Sequence, residues 1–333
     1  MKKAAIRFVP VAALTAFALA GAAVLAPQGA ESRSPVANEI LAHKLAVELG
    51  QEPRRGKEMP VSSGVMYTLL ERTGVLDRRA AQNPAAMERL MRSRGISRPF
   101  TEGCQNVFRR HGMKNIRVNQ DCSLRRQAEE AIQINPLNER NMVAGQNDSR
   151  IGFNHCGYDW TFNGGRTWGD QVPPFWQFQL LDGHTSDACS DPTVAFDSRG
   201  NVYVGGIFFD VASPANAVAV MKSNAPNGGA FYHSPNPAGG FQEYRTLPVG
   251  VVANDTVDFN DKELMTADAH VSSAKRDNVY MTWTKFNTAG HSPIFFSQST
   301  DGGATWSAGI EISGSNPSIC TVPAVGPSDD DQG

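Results

Sequence analysis

The sequence predicts a mainly β fold in which one supersecondary unit recurs about three times, preceded by a short, mainly helical region. Three observations carry that prediction. An eight-residue phrase occurs twice, as Thr-Phe-Asn-Gly-Gly-Arg-Thr-Trp at 161–168 and as Ser-Thr-Asp-Gly-Gly-Ala-Thr-Trp at 299–306. A degenerate copy at 223–231 lacks the Thr and places Phe231 where Trp is expected. The closing aromatics Trp168, Phe231 and Trp306 are 63 and then 75 residues apart, so one block repeats, as in propellers and solenoids.

The elements follow in chain order. Lys2, Lys3 and Arg7 form a basic start, an apolar run spans 9–25, and Gln28, Gly29 and Ala30 offer a small-residue cleavage site before Glu31. That is the layout of a signal peptide over 1–30, with an uncleaved anchor as the other reading. No other stretch reaches the roughly 20 apolar residues of a membrane span. The expectation is therefore a secreted, extracellular protein with no membrane span after cleavage. Residues 31–126 read as a helical or irregular N-terminal region or a propeptide. Apolar residues recur at helical spacing over 37–49, with Gly50 as the stop. Less regular helices are expected at 65–72 and 84–94, each followed by a glycine. His43 and His111 have no partners at ligand spacing and are expected at the surface.

A net charge of −2 hides an asymmetry. Residues 54–126 carry 16 Lys and Arg against 6 Asp and Glu, and residues from 127 onward carry 10 against 23. A basic stretch suits nucleic acid or an anionic surface. Here it is spread over amphipathic helices and reads as a solvated face against an acidic body, with no nucleic-acid partner. The absence of a strand-linked Gly-x-Gly-x-x-Gly or Walker phrase excludes a nucleotide fold. Export permits disulfides. Of the three connectivities that four cysteines allow, the sequential one is expected, Cys104 with Cys122 and Cys156 with Cys189. Cys320 is left over, and no Cys-x-x-Cys spacing points to zinc.

From 127 the chain reads as strand, polar turn, strand at 129–145, again at 191–205 and again at 261–284. Tyr203 and Tyr280 follow Asn-Val at matching points, which marks them as packing residues. In the recurring octapeptide, Asn163 or Asp301 can accept amide hydrogen bonds, and the glycine pair supplies positive φ. Ser299 and Thr305 hydroxyls satisfy further amides. Trp306 then returns roughly 150–250 Å² of apolar surface to the sheet.

The pattern Ser/Thr-x-Asp/Asn-x-Gly-x-Thr-Trp resembles the Asp box, or BNR repeat, of the sialidase superfamily. Phrases at 156–160, 170–176 and 259–268 add a resemblance to its bacterial secreted members. The resemblance implies a partial sialidase-type β-propeller over 127–333, with four antiparallel strands per blade. It makes Asn163, Gly165, Thr167, Trp168, Ser299, Asp301, Gly303, Thr305 and Trp306 structural residues of rim turns, away from the central pocket. A propeller closes its ring with about four to eight blades. About three are present and a fourth begins at 322–333, so a fragment of a longer protein is expected.

Sialidases place three arginines on the sialate carboxylate, with an Asp acid and a Tyr activated by Glu. Those residues do not carry over. Six arginines follow Gln127; Arg166 lies in an octapeptide, and Arg140, Arg199 and Arg276 lie in hairpin turns. That leaves Arg150 and Arg245, and the Arg-Ile-Pro signature is missing. What remains are carboxylates near the starts of innermost strands: Glu129, Asp187 with Asp191, and Asp261 with Glu263 and Asp268. Corresponding strands of a propeller converge on one funnel, so Asp191, Asp261, Glu263 and Asp268 are the candidate catalytic residues, with glycosidase geometry if two sit about 5 to 10 Å apart. The alternatives are Ca²⁺ on hard oxygen ligands, or hydrogen bonding at the blade tops. Asp261-Lys262-Glu263 also has the composition of an internal ion pair. No other cofactor or metal is expected. The function implied is an extracellular, glycan-directed protein, either exo-glycosidase-like or a degenerate relative. The alternative is a non-catalytic binding or scaffold propeller, with Trp160, Trp168, Phe175 and Trp176 as a platform for a glycan.

Overall fold

A computed structural model describes residues 36–85, 107–110, 113–119, 126–150, 154–172, 179–186, 188–231, 249–314 and 317–326. The signal-like segment 1–30, Cys104, Cys122, His111, Phe175, Trp176, Asp187 and Arg245 lie outside the described residues.

Helix α1 (Glu39–Glu48) begins where the Asn38 side chain accepts the N–H groups of Ile40 and Leu41, at 3.0 and 3.2 Å. It ends as the chain turns through Gly50 at φ 71. Helix α2 (Ser63–Arg72) is capped by Ser62, whose hydroxyl accepts the Val65 N–H at 3.3 Å, and Gly74 turns the chain after it. Helix α3 (Val75–Gln82) follows at once and was not expected from the sequence. The helix expected at 84–94 lies outside the described residues from 86 on. Within the same helical or irregular region, β1 (Val107–Arg110) and β2 (Met113–Ile116) pair as an antiparallel hairpin. His43 is a correction: it is buried, with Nδ1 2.6 Å from Glu52 and Nε2 3.1 Å from Glu58. Its place on the inward face of α1 outweighs its polarity because both ring nitrogens find carboxylates.

The rest is three four-stranded antiparallel sheets, each in simple up-and-down order. The first holds β3 (Gln127–Asn135), β4 (Asn138–Asp148), β5 (His155–Thr161) and β6 (Gly169–Gln171). The second holds β7 (Ala188–Phe196), β8 (Val202–Phe209), β9 (Asn216–Ser223) and β10 (Val249–Asp255). The third holds β11 (Phe259–Ala267), β12 (Val279–Phe286), β13 (Ile294–Ser299) and β14 (Ile310–Glu311). Strand β7 packs against both β3 and β11, so the first strands stand side by side and each sheet is a blade. The protein is a mainly β, propeller-type fold with a helical N-terminal region, as the repeat period implies.

Burial follows from that order. β7 and β8 of the middle blade are buried along their whole length, which is why they read as Ala-Cys-Ser-Asp-Pro-Thr-Val-Ala-Phe and Val-Tyr-Val-Gly-Gly-Ile-Phe-Phe with little alternation. β3, on an outer blade, leaves Ile132 and Ile134 exposed. Leu41, Val65 and Leu69 of the helices join Ile207, Phe209, Phe259 and Met281 of the blades in one apolar core, and residues 34–333 form one compact unit.

The turns are locally determined. Each β-hairpin at the start of a blade is closed by a side chain that accepts the N–H two residues on: Asn135 from Leu137, Asp197 from Arg199, Asp268 from His270. In the turn after β13, Asp301 accepts Ala304 N–H, Thr305 N–H and the Thr305 hydroxyl, and Gly302 and Gly303 sit at φ 74 and 83. The Thr305 hydroxyl, first among these donors, holds the Asp301 carboxyl down at about 2. The turn after β5 repeats the pattern with Asn163, Thr167 and Thr161. Trp160 packs against the core of the first two blades rather than standing out as a platform. Cys156 of β5 and Cys189 of β7 form a disulfide between neighbouring blades, and Cys320 is exposed and free.

Candidate functional site

Each blade's first strand carries a bulge at the same place. Pairing skips between Ala128 and Ala131, between Ser190 and Thr193, and between Asp261 and Leu264. At each bulge a non-glycine residue takes the left-handed conformation: Glu129 at φ 57, Asp191 at φ 57 and Lys262 at φ 53. Such a residue costs roughly 1 kcal/mol or more, and strain of this kind clusters at functional sites. A bulge also re-aims side chains. Here the three bulges aim at one another.

Lys262 Nζ lies 2.9 Å from Glu129 Oε1 and 3.7 Å from Asp191 Oδ1, so one cation bridges carboxylates from the two other blades. Asn147 of β4 spans the same pair, donating from Nδ2 to Glu129 Oε2 and accepting the Asp191 N–H at 2.8 Å. Ser190 Oγ donates to Asp191 Oδ1 at 3.1 Å. Asp261 is fully buried and accepts its neighbour's N–H, from Lys262, at 2.9 Å. Glu263 is also fully buried, and no side-chain donor meets either of its oxygens.

The carboxyls are held in different charge states. Burial pushes Asp191 well above the usual carboxylate range, and its contact with Glu129 adds to the shift. No donor faces Asp191 Oδ2; a proton on that oxygen gives it a partner. Glu129 is half-buried, which would raise it, yet hydrogen bonding from Asp191 and the Lys262 ammonium bring it down to about 2. Burial likewise raises Asp261 and Glu263. The centre therefore favours the proton on Asp191 beside an ionised Glu129.

The first turn of α2 sits on this cluster. Ser62 N–H donates to Asp261 Oδ2 at 2.7 Å. Ser63 donates its N–H and its hydroxyl to Glu129 Oε1, at 3.2 and 3.1 Å, and accepts from Arg126 at 2.8 Å. A cavity of about 340 Å³ lined by Arg117, Gln127, Glu130, Ile132 and Gly145 lies to one side, on the first blade, and none of Glu129, Asp191 and Asp261 lines it.

Of the expected site residues, the structure brings Asp191 and Asp261 together with Glu129, and sets Glu263 beside them. It does not bring Asp268. That residue is at the far end of β11, roughly 20 Å from Asp261 at strand rise, and its carboxylate is used by His270 N–H and the Ser273 hydroxyl in the hairpin turn. The internal ion pair expected of Asp261-Lys262-Glu263 is also corrected: Lys262 reaches across to the other blades, because the left-handed bulge turns it away from its neighbours. Lys262 supplies the cation at the point where Ca²⁺ was an alternative. Among the described residues no group of three or more His, Cys, Asp and Glu has metal-holding geometry. The described arginines lie elsewhere, Arg150 on Asp148 and Asp170, Arg199 and Arg276 on Asp277; Arg126 alone approaches, behind Ser63.

Sequence reasoning missed Lys262, Asn147, Ser62 and Ser63 as members of the cluster. Glu129 and Asp191 share a register in the repeats, with Asp261 one residue off it, and that signal was visible. Neither Asn147 nor Ser62 and Ser63 gave any.

The raised Asp191 makes a prediction about pH. A carboxyl whose folded value exceeds its unfolded value near 3.9 gives stability that is complete below that value and is lost as pH rises towards the folded value. Asp191→Asn removes that loss. The Tm of the variant minus that of the protein should therefore climb in calorimetry as the pH is raised above about 4. A difference that stays flat would place the proton elsewhere.

The fold and the cluster define a propeller-type protein with an acidic, cross-blade centre. No protein-family profile matches the chain, and no curated protein matches it. Solved structures do. A Trypanosoma rangeli sialidase mutant displaying trans-sialidase activity is similar at 14% identity and TM-score 0.32, covering 59% of this chain and 31% of that one. A thermostable family-43 glycoside hydrolase is similar at 10% identity and TM-score 0.32, covering 55% and 53%. An N-acetylgalactosamine deacetylase from F. plautii is similar at 15% identity and TM-score 0.32, covering 61% and 56%. The chain spans about a third to a little over half of the length of these structures. Likeness of this order leaves the site open, and the fold assignment stands on the three blades themselves.

Proposed function

We propose that this chain is the bladed part of an extracellular, glycan-directed protein that hydrolyses a neutral glycoside by acid–base chemistry at Asp191 and Glu129. One observation carries the reading: three matching bulges bring carboxyls from three blades to one point, where burial favours the proton on Asp191 and Lys262 holds its neighbour Glu129 ionised. Glycoside hydrolysis requires that division, an acid to protonate the leaving oxygen and a carboxylate to activate water or attack. Asp191 is the acid and Glu129 the base, while Lys262 and Asn147 hold them in register. A sialate carboxylate would meet Glu129 and Asp261 with a single arginine to offset them, which favours an uncharged sugar. The signal-like start and the buried disulfide support action outside the cell.

A second reading is favoured by a specific contact. Lys262 and Asn147 each tie Glu129 to Asp191, and Ser62 and Ser63 cover Asp261 and Glu129, so the polar groups of the cluster are spent on one another. On that reading the cluster fastens the blades of a non-catalytic binding propeller. Incubating the full chain with fluorogenic neutral glycosides and a sialoside separates the two. Slow release from a neutral glycoside and none from the sialoside is expected, with Glu129→Gln and Asp191→Asn each lowering kcat by about 10²–10⁴. Release no faster than a heat-denatured control from every glycoside would leave only the fastening role.

A further inference from the structure

We propose that the first turn of α2 is an autoinhibitory plug, occupying the positions where hydroxyl groups of a bound polyhydroxyl ligand would donate. The inference rests on the cluster as a ligand site, not on which reaction follows. Three donors on two consecutive residues land on two carboxylates from different blades: Ser62 N–H on Asp261, and Ser63 N–H with Ser63 O–H on Glu129. Two hydroxyls of a sugar ring present donors of the same kind at similar spacing. The helix start adds favourable charge, because its free N–H groups carry the positive end of the dipole towards the carboxylates. No acidic residue of α2 itself lies in that turn, so Glu129 and Asp261 fill that role from the blades.

Gly64 lets the turn approach so closely. A Cβ there would collide with Ser190 Oγ and Asn147 Nδ2 and stand 2.8 Å from Glu129 Oε2. All three belong to the cluster. Gly64 is helical rather than left-handed, so the glycine answers the contact and not a backbone requirement. With the plug seated, Asp261 and Asn147 are fully buried and Asp191 nearly so. A ligand reaches them only after α2 withdraws, which lowers its apparent affinity by the fraction of molecules that are open. The helix is held behind the turn by Val65 and Leu69 in the apolar core and by Arg126, which stacks on Tyr67 and bonds Ser63.

Two measurements on the full chain test this, and neither needs turnover. In amide hydrogen exchange, Ser62, Ser63 and Val65 should exchange at least roughly tenfold faster than Leu264 and Thr282 of the paired strands β11 and β12, as expected of a unit that opens below the global limit. Exchange as slow as that of the strands would mean α2 opens only when the blades unfold, and would overturn the plug. In the Gly64→Ala variant, carbodiimide labelling of Glu129 and Asp261, mapped by mass spectrometry, should rise at least roughly tenfold over the unsubstituted protein, because alanine favours the helix but cannot fit the contact. Equal labelling in a folded variant would overturn it. If that variant fails to fold, the exchange of the unsubstituted chain decides alone. Labelling that rises in a protein inactive on every glycoside would keep the plug and remove the hydrolase.

Discussion

Replacing Cys156 and Cys189 together by alanine is expected to destabilise the protein by about 4 kcal/mol. The bond closes a loop of 33 residues, and chain-entropy arguments assign roughly that figure to a loop of this length. The location adds to the expectation. The bond joins β5 to β7, so it fixes the first blade on the middle one. Gly206 of β8 lies against both sulfurs; a Cβ there would stand 2.6 Å from one and 2.7 Å from the other. Alanine at the two cysteines leaves that space partly empty. Calorimetry should show a fall in Tm of roughly 10 °C, and dithiothreitol should lower the variant's Tm by less than it lowers that of the unsubstituted protein. A fall under about 1 °C would mean the apolar core alone holds the blades together.

Replacing Lys262 by Met is expected to cost about 3 kcal/mol at pH 7. Removing one partner of a largely buried ion pair leaves the others uncompensated. Here the orphan is the ionised Glu129, which has no second ion-pair partner among the described residues. Met keeps the bulk and takes the same strained left-handed backbone, so the comparison isolates the charge. The sign of the pH dependence is fixed. Glu129 is depressed, so its stabilisation is present above the unfolded value near 4.3 and is lost as pH falls towards about 2. The gap between the two proteins in urea midpoint should therefore narrow from pH 7 to pH 3. A gap that is constant with pH would assign Lys262 a packing role.

Parts of this centre are legible in the amino-acid sequence. Glu129 and Asp191 stand at equivalent points of two repeats, the third repeat places Lys262 there with Asp261 one residue before it, and a propeller directs equivalent points to one axis. Sequence distance alone groups Asp268 with them. Its true equivalents are Asn135 and Asp197, which close the same hairpin in the other blades; aligning hairpin turns rather than counting carboxylates would have placed it. His43 read as a surface residue because its two partners, Glu52 and Glu58, come from the loop that follows α1 and not from helical spacing.

The sequence by itself determined the repeating unit, the hairpin turns, the helix over 37–49 with its stop at Gly50, and the pairing of Cys156 with Cys189. Each of the first three depends on interactions within a few residues: a side-chain oxygen on a nearby N–H, a glycine where φ must be positive, an apolar period. Only the tertiary structure decided which charges meet. The bulges at Glu129, Asp191 and Lys262 carry no glycine to announce them. Lys262 and Glu129 are 133 residues apart, and Asp261 and Ser62 are 199 apart. Contacts of that range follow from how blades and helices pack. A strand that slips by one residue at a bulge sends a lysine across a blade boundary, and no local pattern in the chain records that slip.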